Sequence, residues 1–207
     1  FYGLAEKVSR LSVVKISALL LIFTLALTLR ICPYFFYEPL LRGFDSWFQL
    51  RVAEFLINNG VLAWFSWKDT MSWYPFGRDI PRTTYPGTPF TAYFFYLVLN
   101  FLGIKADIYY VAYFMPAFMG AVTTVIMYLL GKEFGGEKVG LLSAFFLAIT
   151  PGYIQRTVVG FFDNEAVGIF SLVLTFYFYL RSLKYGSLID GVFAGLSLGA
   201  AIYPLVA

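Results

Sequence analysis

The sequence predicts an all-α polytopic membrane protein with a long, structured first external loop. Of the 207 residues, 60% are hydrophobic and only 13% are charged, against about 25% charged in an ordinary soluble domain. A soluble globule of this size could not hide so much apolar surface from water. The apolar residues also form runs that are long enough to cross a bilayer, separated by short charged connections.

Composition excludes several classes of protein. The chain has no His, which excludes His-based acid–base catalysis and His-ligated metals. It has a single Cys, Cys32, so it can form neither an intrachain disulfide nor a thiolate metal cage. The formal net charge of +3 is too small to indicate a nucleic-acid partner, and we expect membrane lipid to be its surroundings instead.

The first apolar run is predicted to be a membrane helix at 12–32, because about 20 residues span the bilayer core. Lys15 and Arg30 lie near its ends, where we expect their long side chains to reach the two interfaces. Because the chain begins with Phe1 and ends within an apolar run, we expect it to be the N-terminal part of a longer protein. The further predicted spans are 108–131, 139–157, 164–181 and 187–207, the last of them truncated.

Residues 33–107 are predicted to form the external loop. Within it, 46–58 has the pattern of a short amphipathic helix that Asn59 and Gly60 terminate. The apolar run 88–104 is ambiguous, since about 17 residues is the short limit for a span. Basic residues should mark the cytoplasmic side, and this rule is obeyed only if 88–104 does not cross fully. We therefore expect a half-embedded or surface helix there. The basic residues used in this test are Lys7, Arg10, Lys132, Lys138, Arg181 and Lys184.

Two polar clusters interrupt the apolar pattern on what should be the external face. One contains Asp45 and the other contains Arg156, Asp163 and Glu165. Ionisable groups close to a membrane core are candidates for function by default, and carboxylates suit a hard divalent cation. A simpler interpretation is equally open at this point: both aspartates precede helical patterns and could be N-caps, and Arg156 could be an interfacial anchor.

Three stretches together resemble the catalytic subunits of oligosaccharyltransferases, the STT-, Agl- and Pgl-type family. GFDSWFQLRVAEFL begins at Gly43 and resembles the first external-loop motif of the family. SWYPFGRDIPRTTYPG (72–87) and PGYIQRTVVGFFDNEAVGIF (151–170) resemble two further family motifs, in the family's order. Each match alone is weak, but together they are specific, and they are closest to the archaeal and eukaryotic branches.

This resemblance implies a GT-C-type transmembrane helix bundle and a glycosyltransferase. Such enzymes move a glycan from a lipid-linked phosphate or pyrophosphate donor, of dolichol or polyprenol type, to the Asn amide of Asn-x-Ser/Thr in an acceptor polypeptide. The matching positions imply Asp45 and Arg156 as catalytic residues and Asp45, Asp163 and Glu165 as ligands of Mn²⁺ or Mg²⁺. Arg78 and Arg82, in the second stretch, are predicted to bind substrate.

The resemblance also implies parts that this chain lacks, namely a later external loop and a C-terminal soluble domain that reads the acceptor. We therefore expect residues 1–207 alone to be inactive. Two alternatives stay open from the residues: another GT-C enzyme that uses a polyprenyl-phosphate sugar, and a membrane transporter. The expected location is the plasma membrane of an archaeon or the endoplasmic reticulum membrane of a eukaryote, with the active site on the external or lumenal face.

Overall fold

The computed structural model describes residues 2–202, with side chains for residues 12–199. Residues 203–207 of the predicted last span, and the side chains of Lys7 and Arg10, lie outside this description. Between residues 2 and 202 the chain is helical apart from its connections and one two-stranded antiparallel ribbon. The elements are α1 (Tyr2–Ile31), a 3-10 turn (Cys32–Phe35), α2 (Phe44–Asn59), α3 (Val61–Trp64), β1 (Lys68–Asp69), β2 (Arg78–Asp79), α4 (Ile80–Thr83), α5 (Gly87–Phe101), α6 (Ile108–Ile149), α7 (Pro151–Thr157), α8 (Asn164–Tyr185) and α9 (Leu188–Ile202).

Long apolar helices form the bundle. Among the described residues, three helical stretches are long and apolar enough to cross a membrane: Ser12–Phe35, Ile108–Ile149 and Asn164–Tyr185. The shorter helix α9 is apolar over Leu188–Gly199 and packs along α8. These stretches coincide with the apolar runs from which the fold class was predicted.

Helix α6 folds back on itself, which gives two limbs instead of one rod. Gly135 and Gly136 leave the helical conformation, and Gly136 has a φ of +80°, which glycine adopts without a Cβ clash. Ala26 of α1 is fully buried between Ala121 on the first limb and Ala148 on the second. Small side chains let helix backbones approach closely in a membrane, so this alanine cluster fixes α1 against both limbs.

The second limb is shorter than the predicted span 139–157. It ends at Ile149 because Thr150 has extended dihedral angles and Pro151 starts the separate helix α7. Proline cannot donate a backbone hydrogen bond and restricts the residue before it, so it starts a helix well and continues one poorly. After α7 the chain runs through the non-helical segment 158–163 into α8.

One end of the bundle is held by ion pairs. Glu137, in the turn between the limbs of α6, lies 2.9 Å from Lys132 and 3.4 Å from Lys15 of α1. Lys184 at the end of α8 lies 3.2 Å from Glu133. The turn of α6 and the end of α8 therefore lie at the same end of the bundle. The distribution of basic residues predicted this for Lys132 and Lys184.

The loop 33–107 begins and ends at the opposite end of the bundle. Just after α1, the carbonyl oxygen of Pro39 accepts a 2.6 Å hydrogen bond from the hydroxyl of Tyr109, at the start of α6. Helix α5 lies between these points and packs on α2, α6 and α8. Because the chain enters and leaves the loop at the same end, α5 does not carry it across the bundle.

The prediction that Arg30 reaches an interface is wrong. Its side chain is 0% exposed and points into the bundle, where its guanidinium donates to Thr157 and to the carbonyl oxygens of Ala26 and Ala148. Polar acceptors on neighbouring elements satisfy the guanidinium inside the protein, so it does not extend to the membrane surface.

Glu137→Gln should lower the thermal stability of the full-length protein in detergent at neutral pH. Hydrogen bonds from Tyr128 and Lys132, helped by Lys15, lower the pKa of Glu137 to about 2, although burial opposes the shift slightly. A lowered carboxyl pKa stabilises the fold above the ordinary value near 4.5, and this contribution is lost as pH falls through the folded-state value.

The stability difference between wild type and Glu137→Gln should therefore be present at pH 7 and shrink toward zero between pH ~4.5 and ~2. Thermal unfolding over this pH range in low salt measures it. A difference that is the same at pH 7 and pH 3 would contradict the ion-pair explanation.

Candidate functional site

A backbone clamp joins the two segments that carry the predicted acidic residues. The N–H of Arg42 donates to the carbonyl oxygen of Gly160 over 2.8 Å, and the N–H of Gly160 donates to Tyr113 over 2.9 Å. Gly160 has a φ of +81°, and a Cβ there would lie 2.6 Å from the carbonyl oxygen of Leu40. Only glycine fits this position, so the approach of the two segments is built into the sequence.

The clamp brings Asp45 and Asp163 into one region. Each aspartate follows its clamp residue by three positions, since Asp45 follows Arg42 and Asp163 follows Gly160. Three residues extend at most about 10 Å. We call the region formed by residues 40–49 and 158–165 the motif junction.

A side-chain network forms a second link across the motif junction. The amide nitrogen of Gln49, on α2, donates to the amide oxygen of Asn164 over 3.0 Å. The hydroxyl of Thr88, at the start of α5, lies 3.3 Å from the same oxygen. Gln49 follows Asp45 by four residues and therefore shares its helix face. The network thus fixes Asp45 relative to the start of α8.

Asp163 and Glu165 have different local roles at the start of α8. The carboxylate of Asp163 caps the helix by accepting from the N–H of Asn164 over 2.7 Å. Glu165 Oε1 lies 3.1 Å from a guanidinium nitrogen of Arg156, on α7. Its Oε2 is buried and has no hydrogen-bond partner. The N-cap interpretation is therefore confirmed for Asp163.

The N-cap interpretation is wrong for Asp45. Helix α2 begins one residue earlier, at Phe44, with Gly43 as its N-cap and no side-chain capping bond. Asp45 lies in the first turn with its side chain exposed. A carboxylate that caps nothing and faces solvent is free to contact a ligand, and the positive end of the helix dipole favours its charge.

Arg78 lies close to Asp45. Its guanidinium stacks 4.1 Å from the ring centre of Phe48 and 4.9 Å from that of Trp73, and it donates to Thr83. Burial lowers the pKa of Arg78, and the carboxylates of Asp45 and Asp69 partly oppose this shift. Arg78 is therefore a fixed positive charge beside Asp45.

Arg82 and Arg51 lie apart from this arrangement. Arg82 is 78% exposed and pairs loosely, at 3.7 Å, with Asp79. Arg51, which follows Asp45 in sequence, forms a two-pronged pair with the buried carboxylate of Asp69 at 3.0 and 2.9 Å. Burial opposes ionisation of Asp69, but bonds from Arg51, Ser72 and the Met71 N–H hold its pKa below the ordinary value. Arg51 thus anchors the loop and does not face the motif junction.

The donor chemistry at the motif junction fits a hard divalent cation, since carboxylate oxygens are the preferred ligands. The buried oxygen of Glu165 without a partner also fits a missing ligand. Within the described residues, however, no three Asp, Glu or Cys side chains are close enough together to hold a metal ion. Asp45, Asp163 and Glu165 thus share one region without forming a finished metal site.

Comparison with known proteins identifies the family. The family model described as "Oligosaccharyl transferase STT3, N-terminal" matches residues 11–206. The chain is 41% identical over 179 residues to the dolichyl-diphosphooligosaccharide–protein glycosyltransferase subunit STT3A of Oryza sativa subsp. japonica, covering 86% of this chain and 23% of that protein. It is 38% identical over 187 residues to the STT3 subunit of Saccharomyces cerevisiae, covering 89% of this chain and 26% of that protein.

Solved structures share the fold. The Archaeoglobus fulgidus oligosaccharyltransferase in the apo form superposes with a TM-score of 0.70 at 23% identity, over 91% of this chain and 23% of that one. The archaeal oligosaccharyltransferase AglB from Archaeoglobus fulgidus, in complex with an inhibitory peptide and a dolichol-phosphate, has a TM-score of 0.69 at 23% identity, over 91% and 23% of the two chains.

The fold is thus that of a GT-C-type transmembrane helix bundle, as the resemblance implied. The chain belongs to the STT3 oligosaccharyl transferase family and matches its N-terminal region. It spans about a quarter of the length of the curated relatives it matches. The comparisons do not favour the two alternatives, another GT-C enzyme or a transporter.

Sequence reasoning missed two residues of the motif junction. Gln49 is 3% exposed and Thr88 is 1% exposed, and both bind Asn164. The spacing of Gln49 from Asp45 was a usable signal, because residues four apart share a helix face. Thr88 carried no such signal, since its partner lies 76 positions away in sequence.

Gln49→Leu should destabilise the full-length protein by about 1 kcal/mol, because it removes the hydrogen bond to the half-buried Asn164 that links α2 to the start of α8. The matched control is Asn59→Leu, at the exposed end of the same helix, which should change stability by less than about 0.5 kcal/mol. Denaturant titration in detergent measures both. Equal effects of the two substitutions would refute the linking role of Gln49.

Proposed function

We propose that the full-length protein carrying this chain is an oligosaccharyltransferase catalytic subunit. It moves a glycan from a lipid-linked phosphate or pyrophosphate donor to the Asn amide of Asn-x-Ser/Thr in an acceptor polypeptide. The observation that carries the proposal is the motif junction, which holds the acidic residues of two distant segments together in a chain of the STT3 family.

Asp45 is the proposed contact of the acceptor amide. An amide nitrogen is a poor nucleophile because its lone pair is delocalised into the carbonyl group. A carboxylate that accepts hydrogen bonds from the NH₂ group favours a twisted geometry in which the lone pair is more available. Asp45 suits this role because it is exposed, caps no helix and lies beside the fixed charge of Arg78.

Asp45, Asp163 and Glu165 are the proposed holders of Mn²⁺ or Mg²⁺. A bound cation supplies Lewis-acid stabilisation of the charge that develops on the leaving phosphate oxygens. Support comes from the carboxylate chemistry of the three residues and from the unsatisfied buried oxygen of Glu165. We expect the side chains to converge when the remaining parts of the active site, which lie outside this chain, are present.

Arginines supply the positive charges of the proposed site. Arg156 holds Glu165 through its 3.1 Å pair and orients that carboxylate. Arg78 and Arg82 are the proposed contacts for the phosphate or glycan part of the donor. Arg82 is free to move because its side chain is largely exposed, whereas Arg78 is held by aromatic rings.

The proposed partners follow from the ligands of structurally similar proteins. One solved structure of the archaeal enzyme contains an inhibitory peptide and a dolichol-phosphate, and another carries a tethered acceptor peptide with an NVT sequon. By analogy we propose a dolichol- or polyprenol-linked donor and an Asn-x-Ser/Thr acceptor here. The motif junction would face the outside of an archaeal plasma membrane or the lumen of the endoplasmic reticulum.

Asp45→Asn, Asp163→Asn and Glu165→Gln should each lower glycan transfer by at least about 100-fold, since each removes charge from the proposed cation site. The assay supplies full-length protein, a lipid-linked glycan extract, Mn²⁺ and a fluorescent Asn-x-Thr peptide, and it measures the mass shift of the peptide. Calorimetric titration with Mn²⁺ gives a readout that does not depend on turnover, and all three variants should bind Mn²⁺ more weakly.

Asp107→Asn is the matched control. Asp107 is an exposed carboxylate that caps α6 by accepting from the Tyr109 N–H over 2.9 Å, and Asn caps equally well. This variant should retain wild-type transfer and Mn²⁺ affinity. If the wild-type protein forms a different glycoconjugate and leaves the peptide unmodified, the proposed reaction is wrong. If Asp163→Asn retains full activity, its carboxylate is a helix cap only.

A further inference from the structure

Arg30 is a buried cation that the proposed chemistry does not use. Its Nε donates to the hydroxyl of Thr157 over 2.8 Å. One terminal nitrogen donates to the carbonyl oxygens of Ala26 over 2.9 Å and Ala148 over 3.1 Å. The guanidinium also lies 5.0 Å from the ring centre of Tyr153. These contacts reach three different elements: α1, the end of α6 and α7.

No carboxylate pairs with Arg30 in the part of the chain that the structure describes. A buried charge without a counter-ion is costly in a membrane bundle, and its terminal Nη2 lacks a hydrogen-bond partner. Replacing buried ionic groups by well-packed apolar ones is often neutral or stabilising. Stability is therefore a weak explanation for an arginine at this position.

The contacts of Arg30 concentrate on the segment that leads to the second acidic cluster. Its side chain binds Thr157, the last residue of α7, and its own carbonyl oxygen accepts from the N–H of Val159 over 3.1 Å. The next residue, Gly160, forms the backbone clamp. Arg30 thus fixes the start of the 158–163 segment on both sides of Val158.

The neighbouring helix is shaped to admit this contact. Gly120 lies on the first limb of α6, and a Cβ there would come within 2.5 Å of Arg30 Nε and 2.8 Å of Thr157. Any larger residue would displace the pair. The side chain of Arg30 therefore occupies a fitted space between α1, α6 and α7.

We propose that Arg30 is a positioning residue for the reaction. By fixing Thr157 and Val159 to α1, it sets where the 158–163 segment delivers Asp163 and Glu165 relative to Asp45. The proposal rests on the proposed function for its effect on turnover. The placement of the 158–163 segment by Arg30 is a structural statement that does not depend on the reaction.

Arg30→Met tests the proposal in the full-length protein. Methionine fills much of the space without a charge, and Thr157 keeps its own 2.6 Å bond to the Tyr153 carbonyl oxygen, so no hydroxyl donor is orphaned. We expect kcat to fall by about 10- to 100-fold, as is common for residues that orient active-site ligands. The KM for the acceptor peptide should stay within error of the wild-type value, and the melting temperature should fall by only a few degrees, because the Ala148 carbonyl oxygen loses one donor.

Two further variants separate positioning from a general structural role. Thr157→Val should also lower kcat. The double variant should be no worse than Arg30→Met alone, because both substitutions remove the hydrogen bond between Arg30 and Thr157. Lys15→Met, at the other end of α1, is the matched control and should leave kcat unchanged. Arg30→Met with a much lower melting temperature but a normal kcat per folded molecule would overturn the proposal.

Amide hydrogen exchange tests the placement role of Arg30 without requiring that the protein catalyse the proposed reaction. Amides in 158–165 should exchange faster in Arg30→Met than in wild type, whereas those in α9 should not change. If wild-type protein transfers no glycan, the proposed function fails, and faster exchange in 158–165 still supports the placement role. Unchanged exchange together with unchanged turnover would overturn it.

Discussion

The architecture depends on a single backbone contact, the hydrogen bond from the Arg42 N–H to the Gly160 carbonyl oxygen. It closes at 2.8 Å only because residue 160 has no Cβ and can adopt a φ of +81°. Asp45 follows the donor residue of this bond by three positions, and Asp163 follows the acceptor residue by three positions. The side-chain network of Gln49, Thr88 and Asn164 then fixes the angle between α2 and α8.

The two ends of the bundle are built by different physical means. At one end, the ion pair of Lys184 with Glu133 joins the end of α8 to the charged turn of α6. At the other end, backbone hydrogen bonds and the amide side chains of Gln49 and Asn164 hold the motif junction. Asp163 there caps α8 and Glu165 pairs with Arg156, whereas the exposed carboxylate of Asp45 caps no helix.

Much of the fold could be predicted from the sequence. Membrane helices are recognisable from the length of their apolar runs, and α2 is recognisable from its amphipathic pattern and the Asn59-Gly60 pair at its end. The positions of Asp45, Asp163 and Glu165 followed from a resemblance to known motifs, and their metal-binding role stays a prediction. The inward course of Arg30 could not be predicted. A basic residue near a helix end fits an interface equally well, and its acceptors come from Thr157 and Ala148, more than 100 positions away.

The separation of Gln49 and Asn164, 115 positions apart in sequence, has a consequence for biosynthesis. At about 5–20 residues per second, the ribosome needs roughly 6 to 23 s to reach Asn164 after Gln49. During this time Gln49 of α2 has been made but its partner Asn164, at the start of α8, has not. Assembly of the motif junction is therefore a late, long-range event in the folding of the chain, and newly made loop must be shielded from non-native contacts until α8 arrives.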